Sequence, residues 1–243
     1  MSFVIDYSDG KFELGKNILI IGPESIGKTN LVLTNIFLKF QSKIAHLFVV
    51  SNDDKYKDIS SNLFEENQLP KIFQEIQSMN RSEHKLLIID EIVNHNNPII
   101  ECILINSHYL NVSVVLVSKT GNLNMVLRDY IDIIGIGQTK SVTIARDLYD
   151  KFGMVYGDFT YFLNVILGMG RDEFLLIPKN RPNICLIRVN EHWIKYLYTY
   201  KMFVRYDILL RINEGRRMDN EDLVKRVNKI MDELVEIKRK LDK

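Results

Sequence analysis

The sequence predicts an α/β fold in which a mainly parallel central sheet is flanked by helices. Within residues 1–140, short runs rich in β-branched residues alternate with longer segments of helical periodicity. The strand candidates are nearly continuous apolar runs, as expected for strands that are covered on both faces. A glycine-containing loop also joins the first strand directly to the first helix, which is typical of sheets that bind phosphate.

The individual elements follow from these patterns. Apolar runs predict strands at residues 17–21, 45–51, 85–90, 113–118 and 130–136. Helical periodicity predicts helices at residues 29–40, 71–79, 98–109 and 142–152. Because these strands alternate with helices, we expect parallel strands joined by crossover helices.

The carboxyl-terminal part has weaker patterns. Residues 160–167 have helical periodicity, and residues 174–178 and 184–189 resemble a strand pair around a turn. Asp219 and Asn220 offer a helix cap before an apolar stripe with heptad spacing at Leu223, Val227, Ile230, Leu234, Ile237 and Leu241. This amphipathic helix could pack on its own domain or form a contact between subunits. We therefore expect an ATPase core at 1–152, its carboxyl-terminal continuation at 153–217 and a terminal helix at 218–243.

Composition narrows the class of protein. The chain has 243 residues, of which 46% are hydrophobic, and this excludes disorder as its main state. The net charge is only +1, but residues 171–217 hold 10 Lys and Arg against 5 Asp and Glu, which a polyanion could contact. No apolar run is long enough to span a bilayer and no signal peptide is recognisable, so we expect an intracellular protein without a membrane partner. The two cysteines form neither a disulfide framework nor a zinc motif.

The strongest motif is the loop GPESIGKT, which fits the pattern G-x-x-x-x-G-K-[ST] through Gly22, Gly27, Lys28 and Thr29. Its glycines let backbone N–H groups turn towards phosphate oxygens, and the helix amino terminus adds positive potential. Lys28 is expected to reach the β and γ phosphates of ATP, and Thr29 to bind Mg²⁺. Glu24 is expected to point to solvent. The predicted nucleotide-binding residues are Gly22, Pro23, Glu24, Ser25, Ile26, Gly27, Lys28, Thr29 and Asn30.

A second motif supplies acids for the metal and for catalysis. The strand KLLIID ends in Asp90, which is followed at once by Glu91. We expect Asp90 to bind Mg²⁺ and Glu91 to orient and activate the attacking water. Adjacent side chains of an extended chain point to opposite sides, so the two carboxylates are predicted to diverge.

The order of these motifs favours one subclass of phosphate-loop proteins. The strand at 45–51 lies between the loop helix and the strand that ends in Asp90, and a glutamate follows this aspartate. This is the arrangement of RecA-like (ASCE-type) P-loop NTPases. The chain lacks the N-K-x-D guanine signature, having only Ser-Lys-Thr-Gly at 118–121, and it lacks the ABC-type L-S-G-G-Q sequence. Small-molecule kinases, GTPases and ABC ATPases therefore fit less well.

Residues 14–150 resemble the genome-packaging ATPases of poxviruses, other large DNA viruses and virophages, within the FtsK/HerA-like translocases. The resemblance rests on the two motifs above, on INSHYLNVSVVLVSKT and on LRDYIDII. It implies a homo-oligomeric ring that moves double-stranded DNA into a capsid, with a capsid vertex component as partner. It also implies a location in the virion or in a viral factory in the host cytoplasm.

The chain departs from the family at two places. An Arg-His pair usual in the family is replaced by His108 and Tyr109, and Lys119 stands where the family has a sensor glutamine. Lys119 could contact the γ phosphate or pair with a loop carboxylate; Ser118 is the alternative sensor. Arg128 matches an arginine finger that reaches a neighbouring subunit's nucleotide, although it could also be an ordinary surface arginine.

Three functions remain open from the sequence. The first is an Mg-ATP-dependent DNA translocase that packages a viral genome, with Lys28, Glu91, Lys119, Ser118 and Arg128 as its candidate catalytic residues. The second is another P-loop enzyme, such as a nucleic-acid-dependent ATPase or a phosphotransferase. The third is a nucleotide-binding assembly factor with little turnover. The presence of Lys119 and the lack of the Arg-His pair would explain the loss of turnover.

Overall fold

The computed structural model of this chain shows a single mixed sheet with helices on both faces. Among the described residues, no helix is long and apolar enough to cross a membrane. The structure describes residues 12–52, 54–57, 59–60, 63–91, 97–123, 125–154, 158–179 and 185–189. The helix predicted within 218–243 lies outside these ranges. Residues 190–217, which belong to the predicted segment 153–217, lie outside them as well.

The sheet has eight strands in the order β3-β2-β4-β5-β1-β6-β7-β8. The first six in this order pair in parallel, whereas β7 pairs antiparallel with β6 and β8 antiparallel with β7. β1 therefore lies inside the sheet, between β5 and β6. The strands are β1 (Asn17–Ile21), β2 (His46–Val50), β3 (Leu63–Phe64), β4 (Lys85–Asp90), β5 (Val112–Ser118), β6 (Ile133–Gly137), β7 (Glu173–Pro178) and β8 (Cys185–Arg188).

The bounds of the predicted strands agree with this sheet to within one residue, except at the start of β6 and for the whole of β3. β6 begins at Ile133 instead of residue 130, because the preceding residues form the turn that brings Asp132 to β1. The backbone N–H of Asp132 donates to the carbonyl of Asn17 (2.8 Å), and its carboxylate accepts from the N–H of Asn17 (2.8 Å). The two-residue strand β3 was not predicted, since a run of that length has no periodicity to detect.

Short helices connect the strands. The helix after β1 consists of α1 (Lys28–Leu31), a π-helical segment (Val32–Phe37) and α2 (Leu38–Phe40). The remaining helices are α3 (Leu69–Ser78), α4 (Pro98–Asn106), α5 (Met125–Asp129), α6 (Val142–Leu148) and α7 (Phe159–Gly168). α6 continues into a second π-helical segment (Tyr149–Gly153), and α4 ends at Asn106, three residues before its predicted end.

Side chains explain where several of these helices begin or widen. Asn97, Ser141 and Asp158 cap α4, α6 and α7 by accepting hydrogen bonds from backbone N–H groups of the first turn. In the first π-helical segment the Thr34 hydroxyl donates to the carbonyl of Asn30 (2.7 Å). This bond competes for the carbonyl that an α-helical N–H would use, which accounts for the wider turn there.

The core consists of two apolar layers, one on each face of the sheet. Alternate residues of β1 belong to different layers: Leu19 and Ile21 face the layer of α3, α4 and α7, whereas Ile18 and Ile20 face the layer of α1 and α2. This double coverage is the reason that the strands read as continuous apolar runs. It also holds the carboxyl ends of the central strands at fixed positions.

Lys85 is the first residue of β4, at the end of the strand that is opposite to Asp90, and a substitution there tests how this end is held. Its side chain is fully buried, and its ammonium donates to the carbonyls of Asn80 (2.7 Å), Glu83 (2.9 Å) and Leu110 (3.2 Å). We expect Lys85→Met to lower the free energy of unfolding by about 2–4 kcal/mol, because three carbonyls lose a charged donor. Urea denaturation measures this, with the exposed Lys71→Met as the control. Equal stability of the two variants would contradict the assignment.

Candidate phosphate-binding site

The candidate site lies where three parallel strands end at the same edge of the sheet. In the pairing of β1 with β5, Ile21 is opposite Ser118, and in the pairing of β4 with β5, Asp90 is opposite Val117. The loop after β1, the acid at the end of β4 and the residues after β5 therefore leave the sheet side by side. Segments that are distant in sequence are brought together by the parallel register alone.

Backbone contacts fix the two ends of the loop at residues 22–27. The N–H of Gly22 donates to the carbonyl of Ser118 (3.1 Å), which ties the start of the loop to β5. Gly27 ends the loop as the cap of α1. Its backbone φ is 90°, a value that residues other than glycine rarely adopt. The carbonyl of Gly27 accepts the N–H of Leu31 (2.9 Å), so the loop runs directly into the helix.

Ile26 anchors the middle of the loop to the core. Its side chain is only 7% exposed, although its neighbour Ser25 is exposed. A Cβ atom at Gly22 or Gly137 would collide with the Ile26 side chain. The loop therefore depends on two glycines, one in its own sequence and one at the end of β6, to hold an apolar side chain at the sheet edge.

Lys28 is buried and lies beneath the loop that it follows. Its ammonium donates to the carbonyls of Gly22 (2.8 Å) and Pro23 (2.7 Å). Burial lowers the pKa of Lys28, and the nearby carboxylates of Asp90 and Glu91 oppose this change. The ammonium is thus inside the loop, where it can contact a phosphate that binds the loop amides.

Asp90 is the buried acid of the site, with 7% of its surface exposed. Burial raises its pKa, whereas a hydrogen bond from the Tyr56 side chain lowers it. Lys28 also favours the charged form of this carboxyl. A carboxylate held in this way is a suitable oxygen ligand for a divalent cation, which prefers oxygen donors.

Glu91 does not have the extended conformation that was predicted for it from the sequence. Its φ is 59°, in the left-handed region, and its N–H donates to the carbonyl of Val117 (3.1 Å). The chain therefore turns immediately after β4, and the expected divergence of the two carboxylates is wrong. Asp90 and Glu91 both line the same cavity.

This cavity has a volume of about 630 Å³. The loop and the first turn of α1, including the hydroxyl-bearing Thr29, form part of its lining. Thr29 and Asp90 thus share one cavity, and their role as ligands of Mg²⁺ stays a prediction. No cluster of three acidic, His or Cys side chains suited to a metal occurs in the described ranges. The loop and helix residues that line this cavity are Glu24, Ser25, Gly27, Lys28, Thr29 and Asn30.

Lys119 also lines this cavity, and it pairs with two carboxylates. Its ammonium lies 2.6 Å from Glu24 Oε1 and 3.5 Å from Glu91 Oε1. The second interpretation of Lys119, pairing with a loop carboxylate, is therefore what the structure shows. Glu24 is 70% exposed, as expected, but its carboxylate has a partner as well as solvent.

Three lining residues were not predicted from the sequence: Lys55, Arg171 and Asp172. Arg171 Nε donates to the carbonyl of Ser25 (2.7 Å), and a Cβ atom at Gly27 would collide with the Asp172 carboxylate. Arg171 and Asp172 lie on a turn that is closed by Glu173, whose buried carboxylate accepts the N–H of Gly170 (2.6 Å). The only feature of the sequence that pointed to this turn was its position at the start of residues 171–217, which have an excess of basic side chains.

The other two catalytic candidates do not line the cavity. The Ser118 hydroxyl is buried and donates to the carbonyl of Thr120 (2.6 Å). Arg128 Nε donates to the carbonyl of Leu123 (3.0 Å), and its guanidinium lies 5.8 Å from the centre of the Phe152 ring. Neither side chain is therefore among the residues that could contact a ligand in this cavity without moving.

Comparisons with known proteins agree with the geometry. No family model matches the sequence, and a search of curated proteins gives no significant match. Among solved structures, the chain is similar to the genome packaging NTPase B204 from Sulfolobus turreted icosahedral virus 2 in complex with AMPPCP. The TM-score is 0.59 at 14% identity, over 71% of this chain and 96% of that one.

A second similar structure is EssC (ATPases 2 and 3) from Geobacillus thermodenitrificans. Its TM-score is 0.56 at 9% identity, and the match covers 84% of this chain but only 45% of that one. These similarities confirm the predicted RecA-like P-loop NTPase fold. They also confirm, at the level of the fold, the predicted resemblance to viral genome-packaging ATPases.

Gly137→Ala tests whether the Ile26 anchor shapes the loop. The added methyl group would collide with Ile26 and approach Phe174 (3.0 Å), so the Ile26 side chain must leave its present position. We expect the affinity for a nucleoside triphosphate to fall at least about tenfold, as measured by titration of a fluorescent analogue. Gly168→Ala is the control, because a Cβ there meets nothing within 4 Å. Equal affinity of both variants would show that Ile26 does not position the loop.

Proposed function

We propose that this protein is an Mg-ATP-hydrolysing double-stranded DNA translocase that packages a viral genome. The observation that carries the proposal is the convergence of Lys28, Thr29, Asp90 and Glu91 on one cavity at the carboxyl edge of the sheet. This set contains a phosphate-binding lysine, two oxygen ligands for Mg²⁺ and a carboxylate for water. The fold shared with a viral genome packaging NTPase supports packaging as the work that hydrolysis drives.

The residues fit bound Mg-ATP by their chemistry. Mg²⁺ prefers oxygen ligands and keeps several waters, and Thr29 and Asp90 offer one hydroxyl and one carboxylate. When bound, the ion would neutralise charge on the β and γ phosphates. The loop amides and Lys28 would hold the phosphates, and the exposed Glu91 carboxylate would accept a proton from the attacking water.

Translocation would require assembly and contact with DNA. We infer a homo-oligomeric ring in which Arg128 reaches the nucleotide of a neighbouring subunit, since Arg128 does not line the cavity of its own subunit. Contact with the DNA backbone would be electrostatic and independent of sequence. A capsid vertex component as partner, and a place in the virion or viral factory, belong to the same proposal.

One observation favours a second function, a nucleotide-binding assembly factor with little turnover. Lys119 lies 3.5 Å from the Glu91 carboxylate, and a carboxylate that contacts an ammonium has fewer oxygen lone pairs available for the attacking water. Phosphate release from Mg-ATP, with and without double-stranded DNA, separates the two functions. The translocase predicts hydrolysis that DNA stimulates, in an assembled protein. Binding of Mg-ATP without turnover, even with DNA, would support the assembly factor and contradict the translocase.

Binding and chemistry should separate between two variants. We expect Lys28→Ala to lose nucleotide binding, because the loop loses its only buried ammonium among the cavity-lining residues described. Glu91→Gln should bind Mg-ATP but lose at least about a hundredfold in turnover, since it cannot accept the proton of water. Titration and steady-state phosphate release measure the two effects. Hydrolysis by Glu91→Gln at the wild-type rate would exclude Glu91 as the base.

Arg128 can be tested by mixing inactive subunits. Arg128→Ala should bind ATP but not turn it over, because an arginine finger contributes roughly 10³- to 10⁵-fold in other nucleotide hydrolases. Mixing it with Glu91→Gln should restore partial activity, since some interfaces then pair an intact Glu91 with an intact Arg128. If mixed assemblies form but stay inactive, Arg128 does not act between subunits, and Arg146 becomes the next candidate.

A further inference from the structure

The phosphate loop carries an acidic side chain that contacts the cation at the sensor position. Glu24 Oε1 lies 2.6 Å from the Lys119 ammonium, which is closer than the 3.5 Å between Lys119 and Glu91. The hydrogen bond from Lys119 lowers the pKa of Glu24, and Glu24, followed by Glu91, raises the pKa of Lys119. One ammonium is therefore shared between two carboxylates.

The strand order indicates which end of a nucleotide these groups would meet. β4 and β5, which lead to Glu91 and Lys119, lie on one side of β1, whereas β7, which follows Arg171 and Asp172, lies on the other. The loop after β1 is between them. Because Glu91 is the candidate base for water attack, the terminal phosphate belongs at the Lys119 end and the nucleoside at the Arg171 end.

We propose that Glu24 is a positioning residue that competes with the terminal phosphate for Lys119. It thereby sets how strongly the site distinguishes a nucleoside triphosphate from a diphosphate. A triphosphate presents an anion to the Lys119 ammonium, whereas a diphosphate lacks the group nearest to it. Lys119 is thus held by Glu24 and Glu91 when a diphosphate is bound, and by the terminal phosphate when a triphosphate is bound. This inference depends on the nucleotide binding in the proposed function.

The exposure of the pair suits such an exchange. The side chains of Lys119 and Glu24 are 45% and 70% exposed, and ion pairs in contact with water are weak. A phosphate of higher charge can therefore displace Glu24, and Glu24 can take the ammonium back after the phosphate leaves. Once Lys119 moves to the phosphate, the Glu91 carboxylate loses this contact and its oxygens are available to orient the attacking water.

A double-mutant cycle tests the proposal through binding alone. The dissociation constants of a non-hydrolysable ATP analogue and of ADP, both with Mg²⁺, are measured for the full-length wild type, Glu24→Gln, Lys119→Gln and the double variant. Asp172→Asn serves as the matched control, because it removes a carboxylate that lines the same cavity but lies beside Gly27. It calibrates the effect of losing one negative charge that is not paired with Lys119.

We expect Glu24→Gln to increase the preference for the ATP analogue over ADP by up to about fivefold, the range that an exposed ion pair allows. Lys119→Gln should decrease this preference. In the Lys119→Gln background, Glu24→Gln should shift the preference no more than Asp172→Asn does, because its partner is gone. This non-additivity is the signature of an effect that passes through Lys119.

Two results would overturn the proposal. One is a shift in preference for Glu24→Gln that equals the Asp172→Asn shift; the other is the same shift with and without Lys119. Either result would show that Glu24 acts only as a negative charge. Failure of the proposed function appears differently, as absent or DNA-independent phosphate release while both ligands still bind. A wild type that binds no nucleotide, like Lys28→Ala, would overturn both.

Discussion

The site depends on the attachment of one loop to the carboxyl edge of the sheet. The hydrogen bond from Gly22 to Ser118 ties the loop to β5, and the buried Ile26 side chain ties it to the ends of β1 and β6. Without these contacts, the amides of residues 22–27 would have no fixed direction, and the amino terminus of α1 would not follow the loop so directly. Every charged group of the cavity is placed relative to this loop.

The charged side chains of the cavity form two groups of interacting residues, which differ in how deeply they are buried. Lys28 and Asp90 are buried, and each favours the charged form of the other against the effect of burial. Lys119, Glu24 and Glu91 are about half or more exposed and can exchange partners at little free-energy cost. The buried pair therefore suits binding of phosphate and metal, whereas the exposed groups suit steps that change during turnover.

Much of this arrangement could be predicted from the sequence, because its strongest signals are local. The strands that end before Gly22 and at Asp90 were predicted with their observed bounds, since continuous apolar runs end there. The loop motif is local as well, and six of the nine residues that it predicted for nucleotide binding line the cavity. The chain turn at Glu91 was not predictable, because a φ of 59° at a glutamate has no sequence signature.

Contacts between distant segments were also beyond the sequence. Arg171 binds the carbonyl of Ser25 across 146 positions of the chain, and no spacing rule links the two. The contact arises because β7 adds to the sheet in antiparallel order beside β6, which brings the turn before β7 to the loop edge. Glu24 illustrates the same point: its exposure was predicted, but its partner depends on where β5 ends.

A crystal structure with Mg²⁺ and a non-hydrolysable ATP analogue would test the central claim most directly. The geometry predicts the β phosphate at the amides of residues 27–29, the metal between Thr29 and Asp90, and the terminal phosphate at Glu91 and Lys119. The nucleoside should then lie on the side of Arg171 and Asp172. A nucleotide bound in the opposite direction, or outside this cavity, would contradict the assignment of the loop, the metal ligands and the catalytic carboxylate.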